Sequence, residues 1–489
     1  MVGNSASGAT HAEDNSNYIV PLFINGKEIV SDVTFDVTSP SSNEVVWKAS
    51  SASEDGVKQA VDAAQAALPA WSRTKPAHRR DIFFRAAEIM ERRGKEIAGY
   101  MQTETGAEAG FALGFNIPTS VEMIRDIGGR IPSIQGSIPF AAAEGTSALV
   151  YKEPYGVILG IAPWNAPLIL GVRAVAYALA TGNTVILKGS ELSPRTFWGI
   201  SSVFAEAGLP AGAFNLLMHR PQDAAQITTA LIAHPAVRKI NFTGSTAVGS
   251  IIAQTAAKHV KPVLMELGGK ASTLVLDDAD IQLAAKGSAL GAFLHTGQVC
   301  MSTERIVVHA SIAKEFATAL RATIDEIFGS GDAPILVSAA GKEKTKKLVD
   351  SALASGAKLL SDRMNTEDTS KTRMRPVVVE NVTKDMDLYY TESFGPSVSL
   401  ITVQSDEEAV EVANDTEYGL SAAVFTKDLA RGLRVAKQIE SGAVHINSMT
   451  VHDEPMLPHG GAKKSGYGRF NGHWGFEEFL RIKTVTFQE

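Results

Sequence analysis

From Tyr155 onward, short apolar runs alternate with longer segments in which apolar positions recur every three or four residues. Residues 157–161, 184–187, 214–217, 239–242 and 263–265 read as buried strands, and helical patterns fall between them at 167–180, 194–207, 221–232 and 246–258. Strand–helix alternation at this spacing predicts an open, mainly parallel sheet covered on both faces. A second alternating block runs from Ser272 to about Asn447, with strands at 273–276, 377–379 and 422–425. The expected fold class is therefore α/β with two parallel-sheet lobes in tandem. Ahead of them, residues 18–30 read as strand with a turn at Asn25-Gly26. One helix is predicted from an N-cap at Ser53 to residue 68, and a second from Pro76, a good first-turn proline, to residue 105. The tail 482–487 alternates like a strand and, with 147–152, is expected to form a sheet between subunits.

Composition narrows the class. The chain has 489 residues, 45% hydrophobic and 20% charged, as expected for a multidomain globule. A net charge of -7 gives no electrostatic case for nucleic acid or an anionic membrane, and the apolar runs are too interrupted for a span. A single cysteine argues against a disulfide framework. The histidines are scattered, with His445, His452 and His459 nearest to a cluster, so no metal site is predicted. Residues 1–17 are polar, lack Lys and Arg, and read as a disordered tail rather than a leader; a cytoplasmic protein is expected.

Three stretches carry candidate chemistry. Phe242-Thr-Gly-Ser-Thr-Ala-Val-Gly249 follows a strand and opens a helix, which aims backbone N–H groups at an anion such as phosphate. It lacks the middle glycine of G-x-G-x-x-G, and a plain strand-to-helix turn fits it equally well. Lys188 and Glu191 lie just past a strand, where open α/β sheets bind ligands. A carboxylate there suits ribose hydroxyls and repels a 2′-phosphate; a solvated charge pair is the plainer reading. Cys300 stands alone, as a small buried hydrophobe or as a nucleophile. Gly297 and Gln298 beside it, and Glu266 between an apolar strand and a Gly-Gly pair, favour chemistry.

Together these pieces resemble the aldehyde dehydrogenase superfamily over residues 22–487. The matching motifs are Pro163-Trp-Asn165, Lys188 with Glu191, Phe242-Thr-Gly-Ser245, Glu266-Leu-Gly-Gly269, Gly297-Gln-Val-Cys300, Glu392-Ser-Phe-Gly-Pro396 and Lys464-Ser-Gly-Tyr-Gly-Arg469. The resemblance implies a dinucleotide-binding domain (18–127 and 152–265), a catalytic domain (266–465) and a small β oligomerisation arm (128–151 and 466–489), in a homodimer or homotetramer. It implies Cys300 as nucleophile, Asn165 with the Cys300 N–H as oxyanion donors, and Glu266 as the base that hydrolyses a thioester. It implies NAD as cofactor, with NADP the weaker option and no metal. Ile161, Pro163, Trp164, Lys188, Glu191, Phe242, Gly244, Ser245, Leu267, Gly268, Glu392 and Phe394 are its expected contacts.

The run Cys300-Met-Ser-Thr-Glu-Arg305, and Arg173 in Gly171-Val-Arg-Ala174, are similar to salicylaldehyde, benzaldehyde and vanillin dehydrogenases in particular. The implied substrate is an aromatic aldehyde, with Ala166, Arg173, Val299, Met301 and Met449 as pocket residues and Met456 and Phe111 as weaker candidates; Arg173 could equally pair with a buried carboxylate. Three departures stand out: His295-Thr296 before Gly297, Met218-His-Arg-Pro-Gln222 in place of a glycine-rich loop, and Phe470 where a glutamate often follows the final arginine. The alternatives are an aliphatic or semialdehyde substrate, transfer of the thioester to coenzyme A, and a scaffold of the same fold without turnover.

Overall fold

The computed structural model describes residues 18–361 and 370–488; the expected tail at 1–17 lies outside them. The first block of alternation folds into an eight-stranded sheet. Its centre is five parallel strands in the spatial order Val263–Glu266, Val237–Thr243, Val157–Ile161, Thr184–Lys188, Phe214–Leu217. Gly466–Tyr467 adds antiparallel at one edge and the hairpin Leu22–Ile24/Lys27–Ile29 at the other. The hairpin turns at Asn25-Gly26, both with positive φ, as its sequence required.

The second block forms a seven-stranded sheet, parallel except for the edge strand Lys358–Leu359. Alternate residues of its strands feed two separate cores. Val275, Ile306, Val308, Val398 and Phe425 pack on one face, and Leu274, Val307, Ala422 and Val424 on the other. Thr146–Pro154 and Leu480–Gln488 pair antiparallel within the chain as a long two-stranded ribbon. Gly466–Tyr467, grouped with the arm in the sequence, joins the edge of the large sheet, and the helix Gly472–Glu478 packs on the helices Pro167–Ala180 and Ile117–Arg130 and on the strand Leu480–Gln488.

Two helix expectations are corrected. Ser53 caps its helix, accepting from the Gly56 N–H, but the helix Glu54–Ser72 continues through Pro69. Trp71 explains the extra turn: it is buried, and its indole N–H donates to the Leu179 carbonyl. The segment from Pro76 divides into Pro76–Arg92 and Gly94–Thr105 at Arg93, whose guanidinium bridges Glu96 and Glu206. Among the described residues no helix is long and apolar enough to cross a membrane.

Helix Pro167–Ala180 is the most secluded element near the carboxyl edge of the large sheet. All of its residues are buried, and all but one lack charge. The exception is Arg173, and a guanidinium in such a place requires a partner.

Candidate active site

The ends of the central strands stand in register. Ile161 pairs with Lys188 on one side and Phe242 on the other, and Phe242 pairs with Met265. The carboxyl edge of the sheet therefore presents Ile161, Lys188, Phe242 and Met265 in one row, with Glu266 one residue beyond beside Thr243, where ligands of open α/β sheets bind. Beyond this edge the chain turns through Pro163, Trp164 and Asn165 into the buried helix. After Thr243 it turns through Gly244 to Ser245, which caps helix Thr246–Lys258 by accepting from Val248.

The strand ending at Glu266 is joined to the first strand of the second sheet, Ala271–Val275, by Leu267-Gly268-Gly269-Lys270. This strap passes between two other parts of the site. A Cβ on Gly268 would sit 2.8 Å from the Glu392 carboxylate, and one on Gly269 would collide with the Cys300 carbonyl oxygen. Side chains are excluded on both counts. The Gly269 N–H donates to Glu392 at 2.8 Å, and Ser465 Oγ holds the Gly268 carbonyl at 2.6 Å.

Cys300 is delivered by a strained turn. His295, Thr296 and Gly297 all have positive φ, two of them without the licence of glycine. The turn is over-determined by its contacts. His295 stacks on Phe111 (centroids 4.5 Å, interplanar 11°), Thr296 Oγ1 donates to the Ile335 carbonyl, and Gln298 bridges His295, Ile335 and Val337. Asn165 Nδ2 donates to the Gln298 carbonyl at 3.0 Å, tying the oxyanion candidate to the loop that carries the thiol.

A third loop brings Glu392 and Phe394. Glu304 accepts from the N–H groups of Ser393 and Phe394 and from Ser393 Oγ, while Lys270 Nζ pairs with Glu304 at 2.7 Å and donates to the Thr391 carbonyl. That anchoring holds Phe394 at φ +52, with its ring edge-on to Trp164 at 5.8 Å.

A cavity results, lined by Pro163, Trp164, Asn165, Thr243, Gly244, Ser245, Leu267, Gly268, Cys300, Lys344, Glu392 and Phe394. Ile161, Lys188 and Phe242 stand at the strand ends, and Glu191 lies in the turn after one of them. Ala166, Val299 and Met301 are buried in the core bordered by Cys300 and Met449; of these five, Cys300 alone lines the cavity. Met456 is exposed. Arg173 stands apart from the cavity, ion-paired with Asp453. Of the two sequence readings of Arg173, a pocket residue or the partner of a buried carboxylate, the structure shows the second.

Burial dominates the electrostatics. It pushes the Cys300 thiol up to about 12, with the Glu266 and Glu392 carboxylates adding to the effect. It raises Glu392 to about 7 and lowers His295 to about 4. Lys188 is lowered by burial against the opposing charge of Glu191. Glu266 is 2% exposed; His459 Nε2 lies 3.0 Å from its Oε2, and its Oε1 has no hydrogen-bond partner among the described residues.

The aldehyde dehydrogenase family profile matches residues 29–485. The chain belongs to the aldehyde dehydrogenase family. It is 44% identical to the vanillin dehydrogenase of a Pseudomonas species, over 96% of this chain and 98% of that protein. It is 41% identical to the salicylaldehyde dehydrogenase of Pseudomonas putida, with the same coverage of each. Among solved structures, the salicylaldehyde dehydrogenase of Pseudomonas putida G7, complexed with salicylaldehyde, superimposes with a TM-score of 0.93 at 40% identity, covering 96% of this chain and 98% of that one. The betaine aldehyde dehydrogenase of Staphylococcus aureus, in complex with NAD+, gives 0.91 at 29% identity, covering 96% and 94%.

Several residues that build this aldehyde dehydrogenase site escaped the sequence reading. Glu304 sits between Thr303 and Arg305 at the polar start of the strand Thr303–His309, and only the fold shows it buried. Lys344, on helix Ala339–Ala354, and Asp453 carried no signal either, because each reaches the site only through tertiary folding.

Proposed function

We propose that this enzyme oxidises an aromatic aldehyde to its carboxylic acid with NAD, through a thioester on Cys300. The observation that carries the reading is the convergence of the chain's one thiol, the Asn165 amide and the Glu392–Phe394 loop on a single cavity. Cys300 Sγ, once deprotonated, attacks the aldehyde carbon, and the carbonyl electrons move to oxygen. The Asn165 amide and the Cys300 N–H stabilise that oxyanion in a site already ordered by the Asn165–Gln298 bond.

The residues present fit a nicotinamide dinucleotide. The strap is bare of side chains where it meets Glu392, a capped helix N-terminus faces the cavity, and Lys188 and Glu191 follow a neighbouring strand. When bound, the dinucleotide supplies the hydride acceptor. Trp164, Ser245, Glu392 and Phe394 would hold it, with Lys188 and Glu191 at the adenosine ribose, where the Glu191 charge disfavours a 2′-phosphate. Glu266 then takes a proton from water as the water oxygen bonds to the thioester carbon, and the C–S electrons return to Cys300.

The aromatic preference rests on the vanillin and salicylaldehyde dehydrogenases to which the chain is similar. The large sheet would serve as the dinucleotide-binding half and the seven-stranded sheet as the catalytic half. The ribbon, with Ile482 and Phe487 exposed, would be the contact of a homo-oligomer.

The test is NADH formation with salicylaldehyde, vanillin, benzaldehyde and a medium-chain aliphatic aldehyde, with NADP in parallel. Higher kcat/KM for the aromatic set with NAD is the expected result. Aliphatic preference would overturn the substrate reading, and full turnover by Cys300→Ala would overturn the mechanism.

A further inference from the structure

Glu266 does not stand alone on its strand end. His459 Nε2 is 3.0 Å from its Oε2, and the other ring nitrogen, Nδ1, is 3.9 Å from Asp453 Oδ1. Asp453 is in turn engaged by the Arg173 guanidinium and, at 2.9 Å, by Asn471 Nδ2. The four ionisable groups come from four separated parts of the chain: the strand Val263–Glu266, the loop after Asn447, the segment at His459 and the helix Pro167–Ala180.

The ring sits between two carboxylates, and the distances assign its proton. At 3.0 Å, Nε2–H is within hydrogen-bond reach of Glu266, whereas 3.9 Å to Asp453 exceeds it. The Asp453 carboxylate is engaged by Arg173 and by Asn471 Nδ2. The polar contact of Nε2 is therefore with Glu266 Oε2, while Oε1 has no hydrogen-bond partner among the described residues.

His459 is also fixed in place. Its N–H donates to the Phe470 carbonyl at 3.0 Å and its own carbonyl accepts from Phe470 N–H at 2.8 Å. Phe470 is fully buried and lies under the Arg173 guanidinium at 5.7 Å. Were His459 present only to fill space, an apolar side chain would do so, and both Glu266 oxygens would then be buried without donors.

We infer that His459 is a positioning residue for the hydrolytic half of the reaction. Its Nε2 contact at Oε2 fixes the Glu266 carboxylate for the attack of water, and the backbone pair with Phe470 fixes His459. In the step concerned, a water O–H bond breaks and its proton goes to the Glu266 carboxylate. The water oxygen forms the new bond to the thioester carbon, and the C–S pair returns to Cys300. This role rests on Cys300 as nucleophile and Glu266 as base.

Rapid mixing of the enzyme with NAD and an aromatic aldehyde separates the two halves, since NADH appears before hydrolysis. In His459→Phe, the first turnover should keep its rate and give one NADH per site, followed by a steady state slower by about tenfold or more, the effect of losing a hydrogen bond to a charged group. His459→Gln, whose amide can place a donor near the former Nε2, should recover most of the steady rate. Binding of NAD, read by fluorescence quenching, should be unchanged in both, which separates this role from misfolding. An unaltered steady rate without a burst in His459→Phe would overturn the inference, as would equal loss of both phases in Phe and Gln variants that bind NAD normally. Cys300→Ala and Glu266→Gln test the underlying reading separately. No turnover in the first and a burst then a stall in the second support it, while full turnover in Cys300→Ala removes the basis for His459 as well.

Discussion

Arg173 offers the sharpest energetic test, because its partner is known and both are secluded. Its side chain is 1% exposed and that of Asp453 is 5% exposed. Replacing it by methionine keeps most of the volume but leaves a carboxylate in the interior with Asn471 Nδ2 as its one hydrogen-bond donor among the described residues. Breaking such a pair typically costs about 3–5 kcal/mol. The carboxyl can escape by taking up a proton. From an ordinary value of 3.8, protonation at pH 7 costs about 4 kcal/mol, at about 1.36 kcal/mol per pH unit. That sets the ceiling at pH 7, and at pH 5 it falls to about 1.6 kcal/mol.

The sign follows from both proteins. In the parent, burial works to raise the Asp453 carboxyl, but Arg173 and His459 overcome it and leave it lowered, so the pair's contribution is present above the ordinary carboxyl range and lost as pH falls below it. In the variant the folded carboxyl is raised, so stability is lost as pH rises. The difference between them must therefore grow from pH 5 to pH 7. Urea unfolding midpoints at the two pH values, with the slope checked for constancy, measure it. A difference that is the same at both, or below about 0.5 kcal/mol at pH 7, would refute the buried-pair argument, and adding Asp453→Leu to Arg173→Met should return most of the loss.

Gly269→Ala should lower kcat by about a hundredfold with little change in NAD binding, since the new methyl meets the Cys300 carbonyl; NADH formation and quenching titrations check it. Alkylation of the cofactor-free enzyme by iodoacetamide should give one adduct per chain, and its rate should climb nearly tenfold per pH unit from pH 7 to pH 10 because burial holds the thiol up to about 12. A plateau near pH 8 would contradict that. Glu191→Gln should shift the ratio of kcat/KM for NADP over NAD by about tenfold toward NADP, as expected for removing one repulsive charge of about 1.4 kcal/mol.

The two sheets were legible because buried parallel strands read as short apolar runs, and Val157–Ile161 and residues 422–425 are unbroken examples. The cavity was legible where its residues cluster in short motifs, as at 163–165, 242–245, 266–269 and 392–394. What stayed hidden is pairing across the chain. Nothing near Asp453 announces Arg173, and nothing near His459 announces Glu266, since those contacts exist only after both sheets are assembled. Local signals also misled about helix ends. Pro69 suggests a stop that the burial of Trp71 overrides, and Arg93 interrupts a helical pattern through side-chain bridges to Glu96 and Glu206.

The strap Leu267–Lys270 is, by connectivity, the linker between two lobes. Linkers are ordinarily where proteins accept insertions, new termini and changes of length. Here the linker is itself a wall of the reaction chamber, touching Glu392 on one side and Cys300 on the other. The halves of this molecule are thus geared together at the point of chemistry, and any relative displacement of the sheets alters the spacing between Glu266 and Cys300. Domain exchange with relatives would have to move the strap and both of its neighbours as one unit, and cuts for a split enzyme belong elsewhere in the chain.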